Sequence, residues 1–369
     1  MFTLNPGPSQ MNEEVKNDII NFAKEDIGSM SHRSKEFSEI SEKLHNNLRE
    51  LLNIPENYKI FYTGSSTESM EIIIRSFVVS NCYFFQNGAF SSKFLNTAKD
   101  LNKNVATQTL EWWKWDYSLD NISEDVELIW VTNNETSTWV RLRDDFLEEL
   151  NKKINSPIIP FHKGDDHKPL IAVDITSSIW MTFENISLAD IWFFSVQKWL
   201  GLPAGLWFLI VNEKAINKSK IVKEKLWDVG SVHSIENMLK KYDIFQTNET
   251  PNVFAIYLLA NQLERYNKIG SQKIEKQTQE KYEYISEQVK NHPLLSDYVE
   301  DEDYKSKSVY VVKCEEESIV KIKEELKKNE IALWWGYWKL KKSTFRIANF
   351  PAINLDMLKE TFEIINKVK

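Results

Sequence analysis

Cysteine and glycine are scarce in this chain and a net positive charge is lacking, and these shortages exclude several classes of protein. Only two cysteines, Cys82 and Cys314, occur in 369 residues. Two cannot build a disulfide framework, and no paired Cys/His spacing suggests zinc, so no metal is expected. The formal net charge of −8 argues against a nucleic-acid partner, because phosphate backbones call for a basic face. It argues equally against an anionic membrane surface. No apolar run reaches the roughly 18 residues of a membrane span. The start, MFTLNPGPSQ, lacks the basic end and apolar stretch of a signal peptide. A soluble cytoplasmic protein is expected. No G-x-G-x-x-G follows the first strand, which speaks against a plain dehydrogenase. Glycine numbers only 10, a scarcity that composition alone can produce.

What is present is a large apolar content, 42% of residues with 12% aromatic, enough for a sizeable core and about two domains. EEVKNDIINFAKED and SKEFSEISEKLHNNLRELLNI carry apolar residues at helical spacing. After them, short apolar strands alternate with helices: YKIFYTG, STESMEIIIRSFV, NCYFFQ, SSKFLNTAKDLN, VELIWVT, DDFLEELNKKI, PLIAVDIT, IWFFSVQ and GLWFLIV. That alternation predicts an α/β fold with a mostly parallel sheet. A Gly/Pro turn separates the last two strands, so one of them is a candidate to run antiparallel. One long helical tract, or two joined ones, spans Asn252 to His292. SVYVVKC, EESIVKIKEELKKNE, TFRIAN and a last helix from Leu355 to Val368 then form a smaller α+β unit. The expected division is a large domain over 13–259 and a small one made of 1–12 and 260–369.

Lys198 lies in FFSVQKWLGLP, among Phe193, Phe194, Trp199 and Leu200. An ordinary lysine buries its stem and keeps its amine in water. A desolvated amine instead has a lowered pKa and becomes a nucleophile toward carbonyls. Asp174 ends the apolar run of PLIAVD, at the strand edge where open α/β sheets bind ligands. The alternative is a helix N-cap. Lysine and aspartate together suit pyridoxal phosphate, whose aldehyde takes a lysine and whose ring nitrogen takes a carboxylate. Gly64, Ser65, Ser66 and Thr67, between a strand and a helix, offer N–H groups and a helix dipole to a phosphate. They equally suit a plain capping turn. Phe90, after Asn87-Gly88, is either a stacking face for the ring or a core residue. Thr136 follows the strand VELIWVT and can donate its hydroxyl to the ring oxygen.

Further segments complete a pattern: LNPGPSQM at the start, SMSHRSKEF at 29–37, NNETS at 133–137, VDITSS at 173–178, VQKWLGLPAGL at 196–206, ETPNVFAIYL at 249–258 and FRIANFP at 345–351. In this order they make the chain resemble a class V, fold-type-I pyridoxal-phosphate enzyme, most of all the phosphoserine aminotransferase family. The resemblance implies a pyridoxal 5′-phosphate cofactor, amino acid and 2-oxo acid substrates, and a homodimer with shared sites. It makes Lys198 the Schiff-base lysine and Asp174 the partner of the ring nitrogen. Ser65, Ser66 and Gln197 then hold the cofactor phosphate, with Thr250 reaching it from the other subunit. Phe90 takes the place of the stacking aromatic, usually tryptophan, and Thr136 contacts the ring oxygen. Arg346 grips the substrate α-carboxylate, and His32 and Arg33 stand at the substrate mouth, where arginine forks match anionic substrates.

The chain also departs from that family. A His-Arg pair that binds substrate phosphate is expected shortly before Arg346. WWGYWKLKKSTFR instead offers Lys339, Lys341 and Lys342 with no clear match. Trp334, Trp335, Tyr337 and Trp338 form either an aromatic mouth for a ring-bearing substrate or packing for the small domain. Trp139 stands where glycine is common, INSPIIPFHKGDDHKPL is longer than usual, and Glu249 sits beside the phosphate position. Two rival functions remain at this stage. One is a cysteine desulfurase or related lyase, which needs a mobile thiol. The other is a non-catalytic module of the same fold.

Overall fold

The computed structural model describes residues 1–110, 118–156, 168–179, 185–226, 229–337 and 340–368. The chain opens with β1 (Phe2–Thr3) and helices α1 (Glu13–Lys24) and α2 (Lys35–Leu52). An alternating series follows: β2 (Tyr58–Thr63), α3 (Ser66–Phe77), β3 (Asn81–Gln86), α4 (Ala89–Asp100), β4 (Asn104–Thr109) and β5 (Leu128–Thr132). A small hairpin, β6 (Asn134–Glu135) with β7 (Val140–Arg141), leads to α5 (Phe146–Asn155). Then come β8 (Leu170–Asp174), β9 (Ile191–Ser195), β10 (Trp207–Asn212), α6 (Glu213–Lys225) and α7 (Ile235–Leu239). The strands form one seven-stranded sheet in the order β2-β10-β9-β8-β5-β3-β4. Strand β10 is antiparallel to both its neighbours, and the other pairs are parallel.

The apolar strands explain the layering. In β5, β8 and β9 every residue is buried, as parallel strands covered on both faces must be. Alternate side chains enter opposite cores. Leu128, Trp130, Ile191 and Phe193 join α3, α4 and α6 residues such as Ile73, Phe94 and Ala215. Ile129, Val131, Trp192 and Phe194 join Leu48, Phe146 and Leu259 on the other side. Strand β4 was not foreseen. Its sequence, NVATQT, is polar and largely exposed because it is the sheet's edge and pairs only with β3.

The tract from Asn252 to His292 is two helices, α8 (Val253–Ile269) and α9 (Ser271–Asn291). They break at Gly270, whose φ of +86° is open to glycine and strained for other residues. Beyond them lie β11 (Ser296–Asp297), β12 (Val309–Lys313), α10 (Glu316–Lys328), β13 (Ile331–Ala332), β14 (Trp334–Trp335), β15 (Thr344–Ala348) and α11 (Leu355–Ile365). A four-stranded antiparallel sheet runs β11-β12-β15-β14. The N-terminal strand β1 pairs in parallel with β13 as a separate two-stranded sheet, which brings the first residues back to the C-terminal elements. Among the described residues no helix is long and apolar enough to cross a membrane.

Candidate active site

Strands β5, β8 and β9 lie parallel, with Thr132 opposite Asp174 and Asp174 opposite Phe193. Their C-terminal ends open on one edge, the ligand-binding edge of such sheets. Asp174 is the last residue of β8, and Lys198 follows closely on the end of β9. Lys198 is 7% exposed. Its Nζ donates to Thr136 Oγ1 at 2.8 Å and lies 4.9 Å from the centre of the Phe90 ring. Burial pulls its pKa from 10.5 to about 8, against the opposing influence of Asp174 and Glu135. Asp174 is also 7% exposed. Burial raises its carboxyl to about 6, although Thr176 and Lys198 favour its charged form. The Thr176 N–H donates to its Oδ1 at 2.9 Å.

Arg346, from the middle of β15, completes the cluster. Its Nε donates to the Trp335 carbonyl at 3.2 Å and its Nη1 to the Thr136 carbonyl at 3.4 Å. Its Cζ lies 5.5 Å from the Tyr337 ring, which in turn lies 5.6 Å from the Phe90 ring. Burial lowers its pKa to about 10. The N-terminal segment lies on the lysine stem: a Cβ at Gly7 would stand 3.1 Å from Lys198 Cε. Ser9 Oγ donates to the Lys198 carbonyl at 2.8 Å, and the Ser9 N–H to the Gln197 carbonyl at 2.9 Å. The small residues of LNPGPSQM are thus explained by a close approach.

At the predicted phosphate turn, Ser65 caps α3, its Oγ accepting from the Glu68 N–H at 3.1 Å, and Ser66 opens the helix. Sequence reasoning missed three neighbours. The Glu68 carboxylate accepts from the Gly64 N–H, and His233 Nε2 lies 3.1 Å from its other oxygen. Lys93 Nζ donates to Thr67 Oγ1 at 2.7 Å. An acid at a helix start is favoured by the dipole, and here it takes an N–H that a phosphate would also seek. Gln197 is half-buried, and its Oε1 has no partner among the described residues.

Among the described residues, no hydrogen bond or ring contact joins His32, Arg33 or Thr250 to Lys198 within one chain. The Arg33 guanidinium donates to the carbonyls of Thr247 and Asn248, the latter at 3.2 Å, so it is tied to the loop that carries Thr250. Thr250 is exposed, and Glu249 is half-buried. Of the basic residues before Arg346, Lys342 pairs with Glu316 of α10 at 3.4 Å. Lys341 faces Lys323, whose Nζ lies 4.4 Å from the Trp335 ring. Trp338, Lys339 and most of the long segment before Pro169 lie outside the described residues. Trp139 is fully buried against Tyr310, with ring centres 4.0 Å apart. Its φ of +68° is a conformation that glycine adopts freely.

The two thiols stand elsewhere. Cys82 is in register with Leu128, at the N-terminal end of the sheet, opposite the Asp174 edge. Burial pushes it up to about 12 and raises Cys314 as well. A nucleophilic thiol needs the reverse shift.

A family profile described as Aminotransferase class-V matches residues 1–89 and 105–338. The chain belongs to the class-V aminotransferase family. Pyridoxal 5′-phosphate as cofactor and amino-group transfer as reaction go with that membership. A solved phosphoserine aminotransferase from Cytophaga hutchinsonii is 33% identical with a TM-score of 0.91, covering 100% of this chain and 99% of that one. An alanine–glyoxylate aminotransferase from Nostoc sp. shares the fold, with a TM-score of 0.81 at 19% identity and 100% and 94% coverage. A curated phosphoserine aminotransferase from Rhodococcus opacus is 24% identical over 352 residues, 94% of this chain and 90% of that protein. The expected type I fold is therefore the one found.

The residues at the sheet edge suit this cofactor. They offer a buried amine, a buried carboxylate and a half-exposed aromatic face. Thr176 Oγ1 and Gln197 Oε1 add buried polar atoms with no partner among the described residues. In the cofactor-free aminotransferase, acylation of Lys198, followed by peptide mapping, should rise with pH around a midpoint near 8. Asp174→Asn should lower that midpoint, since the carboxylate favours the charged amine. A midpoint at 10.5, the ordinary lysine value, would contradict the burial argument.

Proposed function

We propose that this aminotransferase moves an amino group between an amino acid and a 2-oxo acid at the Lys198–Asp174–Arg346 cluster. The observation that carries the reading is the Lys198 amine, buried, lowered to about 8 and flanked by Asp174 and Arg346. Pyridoxal 5′-phosphate, when bound, supplies an aldehyde for amines and a ring that withdraws electrons. Lys198 holds the aldehyde end, and Asp174 offers its negative charge to the ring nitrogen. Phe90 provides the stacking face, and the Thr136 hydroxyl meets the ring oxygen. Ser65, Ser66 and Gln197 take the phosphate. Arg346 binds the substrate α-carboxylate, with its guanidinium already turned toward the cluster by the Trp335 and Thr136 carbonyls. Lys198 Nζ, largely neutral above its lowered pKa, takes the α-proton and returns it as general base and then acid.

The reading includes a homodimer. Arg33 is tied to residues 246–248 by three hydrogen bonds and, among the described residues, to none of the Lys198 partners, which supports Thr250, His32 and Arg33 serving the second subunit's site. The division at residue 260 belongs to the same reading. The seven-stranded sheet falls on one side and the four-stranded sheet on the other, and α8 runs through residue 260. A cytoplasmic location fits the separate buried thiols of Cys82 and Cys314.

Phosphoserine is the donor that the names of the relatives suggest. The site itself favours a donor with an apolar or ring-bearing side chain. Tyr337 walls the cluster beside Arg346, while Lys342 pairs with Glu316 of α10. A desulfurase is disfavoured by the raised pKa of both thiols and by the position of Cys82.

Lys198→Ala should lower activity by several orders of magnitude, and Thr250→Asp should weaken it by repelling the cofactor phosphate. Hybrid dimers of the two variants should recover activity that neither parent shows, since one site then holds both native residues. Absence of recovery would contradict the shared site. In a panel of amino donors, aromatic amino acids should bleach the visible band of the bound cofactor faster than phosphoserine. The reverse order would assign the pocket to phosphoserine.

A further inference from the structure

Phe90 poses a positioning problem. Its ring is half-buried, so packing alone does little to fix it. Its named ring neighbours are Tyr337 at 5.6 Å and the Lys198 amine at 4.9 Å. Yet its backbone is held firmly. Helix α4 starts at Ala89 after Gly88, which has no side chain to cap the free N–H groups of the first turn. The cap comes from another element. Glu135 Oε2, from hairpin strand β6, accepts from the N–H groups of Phe90 at 3.1 Å and Ser91 at 3.2 Å, and from Ser91 Oγ at 3.4 Å. Glu135 Oε1 accepts from the Ser137 N–H at 3.2 Å and from Ser137 Oγ at 2.7 Å. Ser137 Oγ in turn accepts from the Ala89 N–H at 3.0 Å.

Both carboxylate oxygens are therefore occupied by donors, and Glu135 is 0% exposed. The approach is so close that a Cβ at Gly88 would collide with Glu135 Cγ and stand 2.6 Å from Cδ and from Ser137 Oγ. Substituting either partner alone leaves buried groups unpaired. Glutamine at 135 would keep the shape but replace one acceptor oxygen with a donor, facing other donors.

We infer that Glu135 is a positioning residue that fixes the Phe90 ring, through the first turn of α4, as the face against which the cofactor ring is held beside Lys198. This rests on the reading of the cluster as the cofactor site. The hairpin that carries Thr136 to Lys198 thus also sets the stacking face, so two contacts of one ring come from adjacent residues on one rigid element.

The test is a double-mutant cycle on cofactor binding rather than turnover. Pyridoxal 5′-phosphate affinity and visible circular dichroism per bound cofactor are measured for the wild type, Glu135→Gln, Phe90→Leu and the double variant. Glu135→Gln should weaken binding about tenfold, the scale of lost hydrogen bonds to a charged group, and reduce the dichroism. In the Phe90→Leu background it should add no more than about twofold, because coupled residues are not additive. Equal factors in both backgrounds, or no change in Glu135→Gln, would overturn the inference while leaving the cofactor site standing. If Glu135→Gln does not fold, Ser137→Ala removes one donor from the carboxylate and serves in the same cycle, with a smaller factor. A wild type that does not bind the cofactor would sink the cofactor-site reading and this inference together.

Discussion

Two cations and two carboxylates share one buried cluster at the end of the sheet, and the rest of the site depends on how they balance. Lys198, Arg346, Asp174 and Glu135 are all nearly inaccessible. Charges taken out of water are tolerated only when paired and hydrogen-bonded. Here Lys198 favours the charged form of Asp174, and Asp174 and Glu135 favour the charged form of Lys198, while burial works against both. The outcome is a compromise. The lysine settles near 8 and the aspartate near 6, so each can change protonation state close to neutral pH. That property suits a proton carrier.

A second lysine shows that burial is not enough. Lys281 of α9 is buried and lowered to about 7 by desolvation. Its Nζ donates to the carbonyls of Phe350 at 2.8 Å and Ile353 at 2.7 Å, and no carboxylate is among the influences on it. It ties α9 to the segment after β15. Lys198 instead meets a hydroxyl, an aromatic face and a carboxylate, and its surroundings come from separate elements. Function separates the two amines by what surrounds them, since their desolvation is similar.

Much of this was legible in the sequence. Long apolar strands such as LIAVD and IWFFS announce a buried parallel sheet, and a polar residue at or just past such a strand's end stands out against it. That is why Asp174 and Lys198 stood out as candidates. The Gly/Pro turn marked one of the last two strands as a candidate to run antiparallel, and β10 is the one that does. Other features left no such mark. Strand β4 is polar because it is an edge. Glu135 looks like one more acid in a turn, and only the tertiary approach of β6 to α4 reveals five donors around its carboxylate. Glu68 and His233 meet across a long stretch of chain, which spacing cannot disclose. His32, Arg33 and Thr250 carry motif signals, and Arg33 is tied to the loop before Thr250 rather than to the partners of Lys198.

The central claim is that Lys198, and no other lysine, is the covalent anchor for the cofactor. Borohydride reduction of the cofactor-loaded protein, followed by peptide mass mapping, tests it directly. The account predicts a pyridoxyl adduct on Lys198 alone. An adduct on Lys281, or on any other lysine with Lys198 unmodified, would contradict it.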